Sequence, residues 1–143
     1  MKIHAIKLKE VTKKDCQFLY RLLGERDPRS NISHKIMPPY NEHVKFVMSK
    51  PYFKWYIIYC NNQKAGTIYL TNQNEVGLFI KNQMQGYGIG KKALNLLMKC
   101  NPRKIYLANV SPKNKKSIRF FKNNGFKLIQ HTYELSCTLL NNS

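Results

Sequence analysis

Carboxylates are scarce in this chain: seven Asp and Glu stand against 25 Lys and Arg in 143 residues, for a net charge of +18. The scarcity leaves Glu75 as the only carboxylate between His43 and Tyr133. Cysteine is sparse too. Cys16, Cys60, Cys100 and Cys137 form no C-x-x-C pair and no metal-ligand spacing, so the expectation is no metal site and reduced, mostly buried thiols. No apolar run approaches the ~20 residues of a membrane span. The opening stretch, MKIHAIKLKEVTKKD, lacks the apolar core of a secretory signal, and a cytoplasmic location is the expectation. There is no internal repeat and no low-complexity tract. Aromatic RNP-like stretches, zinc-finger spacing and a helix-turn-helix are all missing, which argues against a dedicated nucleic-acid module. A surface this basic nevertheless attracts any polyanion in a salt-sensitive way.

What the chain does have is core-forming material: 43% hydrophobic residues, nine Tyr and seven Phe. That composition and length fit one globular domain spanning residues 1–143. Alternation predicts a first strand over Ile3–Lys9. Thr12 and Asp15 make a capping-box start for a helix that carries Cys16, Leu19, Leu22 and Leu23 to a stop at Gly24. Glu25–Pro39 is a long polar connector, and a short helix follows over Tyr40–Ser49. Tyr52–Cys60 and Lys64–Leu70 read as a hairpin about Asn61-Asn62. Glu75–Ile80 is the next strand and Ile89–Lys99 a helix with apolar residues at helical spacing. A strand over Lys104–Val110 is expected parallel to Glu75–Ile80, because a helix crosses between them. Asn114–Asn124 is a helix, and Phe126–Leu140 supplies one or two last strands. The order β-α-α-β-β-β-α-β-α-β predicts an α/β (α+β) fold with a mixed, mostly antiparallel sheet and flanking helices.

The organising stretch is Ile80–Lys99, where a strand runs through Q-G-Y-G-I-G into a helix. Glycines let amides turn inward, and the helix N-terminus adds a positive dipole end, so phosphates belong here. The run is not a G-x-x-x-x-G-K-[ST] loop, and the literal G-x-G-x-x-G spacing is absent as well. It does match I-x-x-x-x-Q-x-x-G-x-G, from Ile80 through Gln85 and Gly88 to Gly90. This resembles the pyrophosphate signature of the GNAT superfamily of acyl-CoA-dependent N-acetyltransferases. A second stretch, Asn114 to Phe126, resembles the superfamily's N-x-x-[AS]-I-x-F-Y-x-x-x-G-F element, and the predicted element order is similar to its fold.

The resemblance implies acetyl-CoA as acyl donor. It puts the pyrophosphate on amides of Gln85, Gly86, Tyr87, Gly88, Ile89, Gly90 and Lys91, and the pantetheine along Leu78, Phe79 and Ile80. An N–H near Phe79 would be the oxyanion donor, and Asn114 would bond the cofactor besides capping its helix. Glu75 is the candidate base, with His34 its rival. Phe121 stands where the superfamily commonly has a tyrosine that protonates the leaving thiolate; Tyr87, Tyr133 or water would have to serve instead. The connector and Pro51–Tyr56 are similar to amino-sugar-nucleotide acetyltransferases of the pseudaminic-acid type, which implies Arg29, Asn31, His34 and Met37 on the acceptor side. The expected acceptor is therefore a small, anionic nucleotide-linked amino sugar, the protein a monomer or homodimer. Two alternatives stay open: a protein N-terminal acetyltransferase, and a non-catalytic module that binds CoA or nucleic acid.

Overall fold

The computed structural model describes residues 1–26 and 37–137. Four strands, β1 (Ile6–Glu10), β2 (Lys54–Cys60), β3 (Gln63–Leu70) and β4 (Val76–Ile80), form one sheet in the order β1-β2-β3-β4. Every neighbour is antiparallel. The helices are α1 (Cys16–Glu25), α2 (Tyr40–Met48), α3 (Ile89–Cys100) and α4 (Lys115–Asn123). The mixed α/β organisation read from the sequence is the one observed.

Alternation along the strands sorts their side chains onto two faces. On one face Tyr56, Ile58, Cys60, Ile68, Leu70 and Val76 pack with Ile89, Ala93, Leu94 and Leu97 of α3. On the other, Ile57 meets Cys16, Leu19 and Leu22 of α1 and Val47 of α2. Fully burying such an aliphatic side chain is worth roughly 1.5–3 kcal/mol, which fixes α3 beneath the sheet and α1 and α2 above it. At the start of α1 the Thr12 N–H donates to Asp15 Oδ2 (2.8 Å), and Lys64 Nζ pairs with Asp15 Oδ1 (2.8 Å), tying α1 to β3.

The β2–β3 hairpin turns through Asn61 and Asn62, both at positive φ (52° and 68°), the twist such a tight turn requires. Asn61 also holds the N-terminal segment: its Oδ1 accepts the N–H groups of His4 and Ala5, and its Nδ2 donates to the Lys2 carbonyl. Residues 2, 4 and 5 thus bond this side chain, and the ladder begins at Ile6 rather than Ile3.

Three expectations need correction. The strand expected over Lys104–Val110 is reduced to a single parallel bridge, Glu75 to Leu107. Its Tyr106 is committed elsewhere, the hydroxyl donating to the Asn101 carbonyl (2.6 Å) and accepting the Arg103 N–H (3.0 Å). Phe126–Leu140 forms no strand through Cys137, the rest lying outside the described residues. With no full fifth strand it has no ladder to join, and Leu128, Ile129, Tyr133 and Leu135 stand exposed. Only two of the four thiols are buried: Cys16 and Cys60 are, Cys100 and Cys137 are not. No described helix is long and apolar enough to cross a membrane.

Candidate active site

The sheet parts at β4. Antiparallel pairing sends the N–H and C=O of alternate residues to opposite edges. The Thr71 N–H bonds the Glu75 carbonyl and the Lys81 N–H bonds the Ala65 carbonyl, so the odd-numbered groups of β4, Phe79 included, face β3. The even-numbered groups face away. Val76 finds Leu107 there (N–H to carbonyl, 2.7 Å), but no strand continues beyond it. The N–H and C=O of Leu78 and the N–H of Ile80 are left along an open edge, and the Ile80 carbonyl accepts the Gln85 side-chain amide (2.9 Å). The open amides nearest Phe79 are thus those of its two neighbours. The side chains of Leu78 and Ile80 meanwhile pack into the α3 core, so the edge is rigid.

The edge ends in the glycine turn. A one-turn helix over Asn82–Met84 comes first, pinned by buried Met84 and by the Asn82 N–H donating to Glu25 Oε1 of α1 (2.8 Å). Gly86 and Gly88 then adopt left-handed φ of 85° and 80°, and Gly88 is the N-cap of α3. The first amides of a helix have no intrahelical partner; at α3 the first to bond is Lys92, to the Gly88 carbonyl. The amides of Ile89, Gly90 and Lys91 are thereby free, with no acidic residue in that turn. Ile89 itself is buried in the core, so it offers a ligand only its backbone. Gly90 lets α4 pack closely: a Cβ there would stand 3.2 Å from the Phe120 ring, which would have to give by a few tenths of an ångström. A groove of about 620 Å³ lies between α1, the start of β3 and the Asn82–Met84 turn, lined by Arg21, Lys64 and Lys81 with Glu25 among them.

Glu75 lies at the parting of the strands. Its carboxylate accepts the Thr71 hydroxyl (3.1 Å) and the Asn109 side-chain amide. By alternation it shares the α1/α2 face of β4 with Gly77 and Phe79. Asn114 caps α4, its Oδ1 accepting the Ser117 N–H (3.2 Å). The capping role is real, and Nδ2 remains for a ligand. Phe121 is half-buried between Phe120 and Phe126, ring centroids 5.2 and 5.0 Å away. Tyr87 is part-exposed at the mouth of α3, and Tyr133 stands in solvent. Of the residues expected on the acceptor side, Met37 rests against Gly24 of α1; Arg29, Asn31 and His34 lie outside the described residues.

A family model for the acetyltransferase (GNAT) domain matches residues 51–128. The chain belongs to the GNAT acetyltransferase family. Solved structures agree in fold. A domain from Methanocaldococcus jannaschii DSM 2661 superposes with a TM-score of 0.78 at 24% identity, over 91% of this chain and 93% of that one. The structure of yncA from Salmonella typhimurium with its cofactor acetyl-CoA gives 0.68 at 15% identity, covering 86% and 80%. A Salmonella typhimurium acetyltransferase that modifies the N-terminal serine of a 50S ribosomal subunit protein gives 0.67 at 21%, covering 85% and 80%.

A GNAT acetyltransferase takes its acyl group from acetyl-CoA, and the residues present suit that donor. A row of free amides at a left-handed glycine turn is a cradle for a diphosphate, and an open strand edge can pair with an amide-bearing arm as it would with another strand. Two features escaped the sequence reading. The Glu25–Asn82 bond joins residues 57 apart, with no local signal. The phenol of Tyr69, which overlies Gly77, had one: a lone glycine inside a strand marks a close approach.

Proposed function

We propose that this acetyltransferase acts on a primary amine of low pKa carried by an anionic acceptor, a nucleotide-linked amino sugar of the pseudaminic-acid-pathway type. The observation that carries the reading is Glu75. Among the described residues it is the only carboxylate beside the parted strands, and it already accepts two neutral donors. A single carboxylate so placed suits an amine that loses its proton at little cost. Deprotonating a lysine-type amine of pKa ~10.4 at pH 7 costs roughly 4–5 kcal/mol, whereas a group near 7.7–8.0 costs about 1. The +18 charge favours an anionic acceptor and disfavours a polyamine.

Acetyl-CoA supplies the acetyl thioester. In this reading the turn amides from Gly86 to Lys91 hold its diphosphate, the Gln85 N–H being already given to the Asn82 carbonyl; Leu78 and Ile80 line its amide-bearing arm, and the open Leu78 N–H takes the developing oxyanion. Glu75 receives the proton of the amine, directly or through water, and passes it to solvent. The N–C bond forms as the C–S bond breaks. Phe121 has no proton to give, and a thiol of pKa about 8.5 leaves tolerably as the thiolate. Asn114 Nδ2 bonds the arm.

A second reading is supported by the structural likeness to the enzyme that modifies an N-terminal serine: a protein α-amino group has the same low pKa. Thiol release from acetyl-CoA at moderate salt tests both, with nucleotide 4-amino sugars, peptides with free N-termini, spermidine and no acceptor. Turnover confined to the amino sugars is expected. Turnover with peptides alone discards the sugar. Glu75→Gln should cost about 10²–10⁴-fold in kcat without weakening acetyl-CoA binding; full activity across the pH range would remove it as the base.

A further inference from the structure

The face of β4 turned toward α1 and α2 carries Glu75, Gly77 and Phe79, and Gly77 leaves a gap in it. The gap is filled from the neighbouring strand. Tyr69, the partner of Gly77 across the ladder, lays its phenol over the bare backbone so closely that a Cβ at 77 would overlap the ring and its hydroxyl. Tyr52 lies flat on Tyr69, centroids 3.8 Å apart and planes within 3°. Tyr52 is itself met edge-on by Trp55 (4.9 Å) and Phe46 (6.0 Å).

Face-to-face stacking is the aromatic arrangement with least intrinsic attraction, so something else sets it. The gap over Gly77 and the edge-on rings of Trp55 and Phe46 hold the pair in register. A hydroxyl carries one proton and two lone pairs. The Tyr69 hydroxyl thus has a proton to donate and lone pairs to accept with. Burial is the main cause holding both phenols above their usual range, so the pair stays neutral at any working pH. Glu75 acts on Tyr69, and Arg26, the last described residue before the connector, acts on both. This half-buried hydroxyl sits one residue from the open Leu78 amide, at the point where the strands part.

We propose that Tyr69 is the acceptor-side hydroxyl of the transfer site, hydrogen-bonding the attacking primary amine between Glu75 and Leu78, and that Tyr52 is a positioning residue that fixes its orientation. This rests on the transferase reading above. Gly77 is then part of the device, since any side chain there would displace the phenol from the strand.

The isosteric variants Tyr69→Phe and Tyr52→Phe test it, with hydroxylamine as a small surrogate amine and thiol release from acetyl-CoA as the assay. Tyr69→Phe should lose about tenfold in kcat/KM for hydroxylamine, the worth of one hydrogen bond in the site, and Tyr52→Phe about threefold. Acetyl-CoA affinity and melting temperature should hold in both. A second readout does not depend on turnover. In protein carrying ζ-¹³C tyrosine and loaded with CoA, hydroxylamine should shift the resonance that Tyr69→Phe deletes, and Tyr52→Phe should move that resonance without any amine. A Tyr69→Phe variant as active as the parent, or a Tyr69 resonance indifferent to the amine, overturns the proposal while the transferase reading stands. A parent protein that does not accelerate transfer to hydroxylamine overturns it as well, and failure to bind acetyl-CoA would show that the transferase reading had fallen with it.

Discussion

At the residue scale the glycines are not interchangeable, because each is glycine for a different reason. Gly66 in β3 sits where a Cβ would run into the backbone carbonyl of Phe79 on β4. Backbone cannot rotate aside, so the strands must part. Gly86 has open space around its Cβ position but a left-handed φ of 85°, which costs an L residue roughly 1–2 kcal/mol without any clash. Gly66→Ala should therefore destabilise more than Gly86→Ala, by about 2 kcal/mol or more against about 1. Urea denaturation of the two variants checks the order, and a reversed order would mean that the β3–β4 spacing is not what Gly66 protects. The same distinction holds for the side chains of the site. Ile89 was placed among the cofactor residues by its position in a motif, yet its side chain belongs to the core and its amide alone is available.

At the element scale, α2 carries a liability. His43 is buried beneath it, packed near Tyr20 (centroids 5.2 Å), and its Nε2 has no partner among the described residues. Burial lowers its pKa, opposed by a hydrogen bond to the backbone of Cys16. A histidine held neutral in the fold takes up a proton more readily when unfolded. Its effect on stability is thus absent above the ordinary value near 6.5, and stability falls as pH drops from there toward the lowered folded value. Melting temperature should decline between about pH 7 and 5, and His43→Leu, which removes the unpartnered nitrogen, should flatten that decline. An unchanged slope would put the acid sensitivity elsewhere. The helices and the four antiparallel strands were legible from the sequence because amphipathic spacing, a capping box and the Asn61-Asn62 turn are local signals. The fifth and last strands were not. Lys104–Val110 has strand-like composition, but its pairing depends on a distant partner, and Tyr106 is drawn to the end of α3. Only Leu107 reaches the sheet, and that shortfall opens the Leu78–Ile80 edge.

At the scale of the whole molecule four of the seven acids are already committed. Asp15 pairs with Lys64, Glu10 with Lys54, Glu25 holds the Asn82 amide, and Glu75 accepts Thr71 and Asn109. The large cationic excess is consequently unbalanced, and it will draw in polyanions that have nothing to do with the site. The glycine motif made the cofactor cradle legible from sequence, because its chemistry is local backbone geometry. The acceptor wall was not, since Tyr52, Tyr69 and Gly77 come together only through sheet register. Two kinds of anion binding are therefore expected here, and salt separates them. Attraction to an RNA homopolymer is counterion release and should fall by about 10³-fold between roughly 50 and 200 mM salt. Acetyl-CoA has few charges and is held by amides at fixed positions, so its affinity should fall by less than about tenfold over the same range. Gly88→Val should split them in the opposite sense. A β-branched residue cannot sit at φ 80°, so the N-cap must rearrange and acetyl-CoA binding should weaken tenfold or more, about 1.4 kcal/mol. RNA binding, which depends on total charge, should not change. Circular dichroism of the variant guards against a general unfolding. If acetyl-CoA and RNA weaken in parallel with salt, and Gly88→Val touches neither, then the glycine turn is only a turn and the affinity of this protein for CoA is the affinity of any cation for any anion.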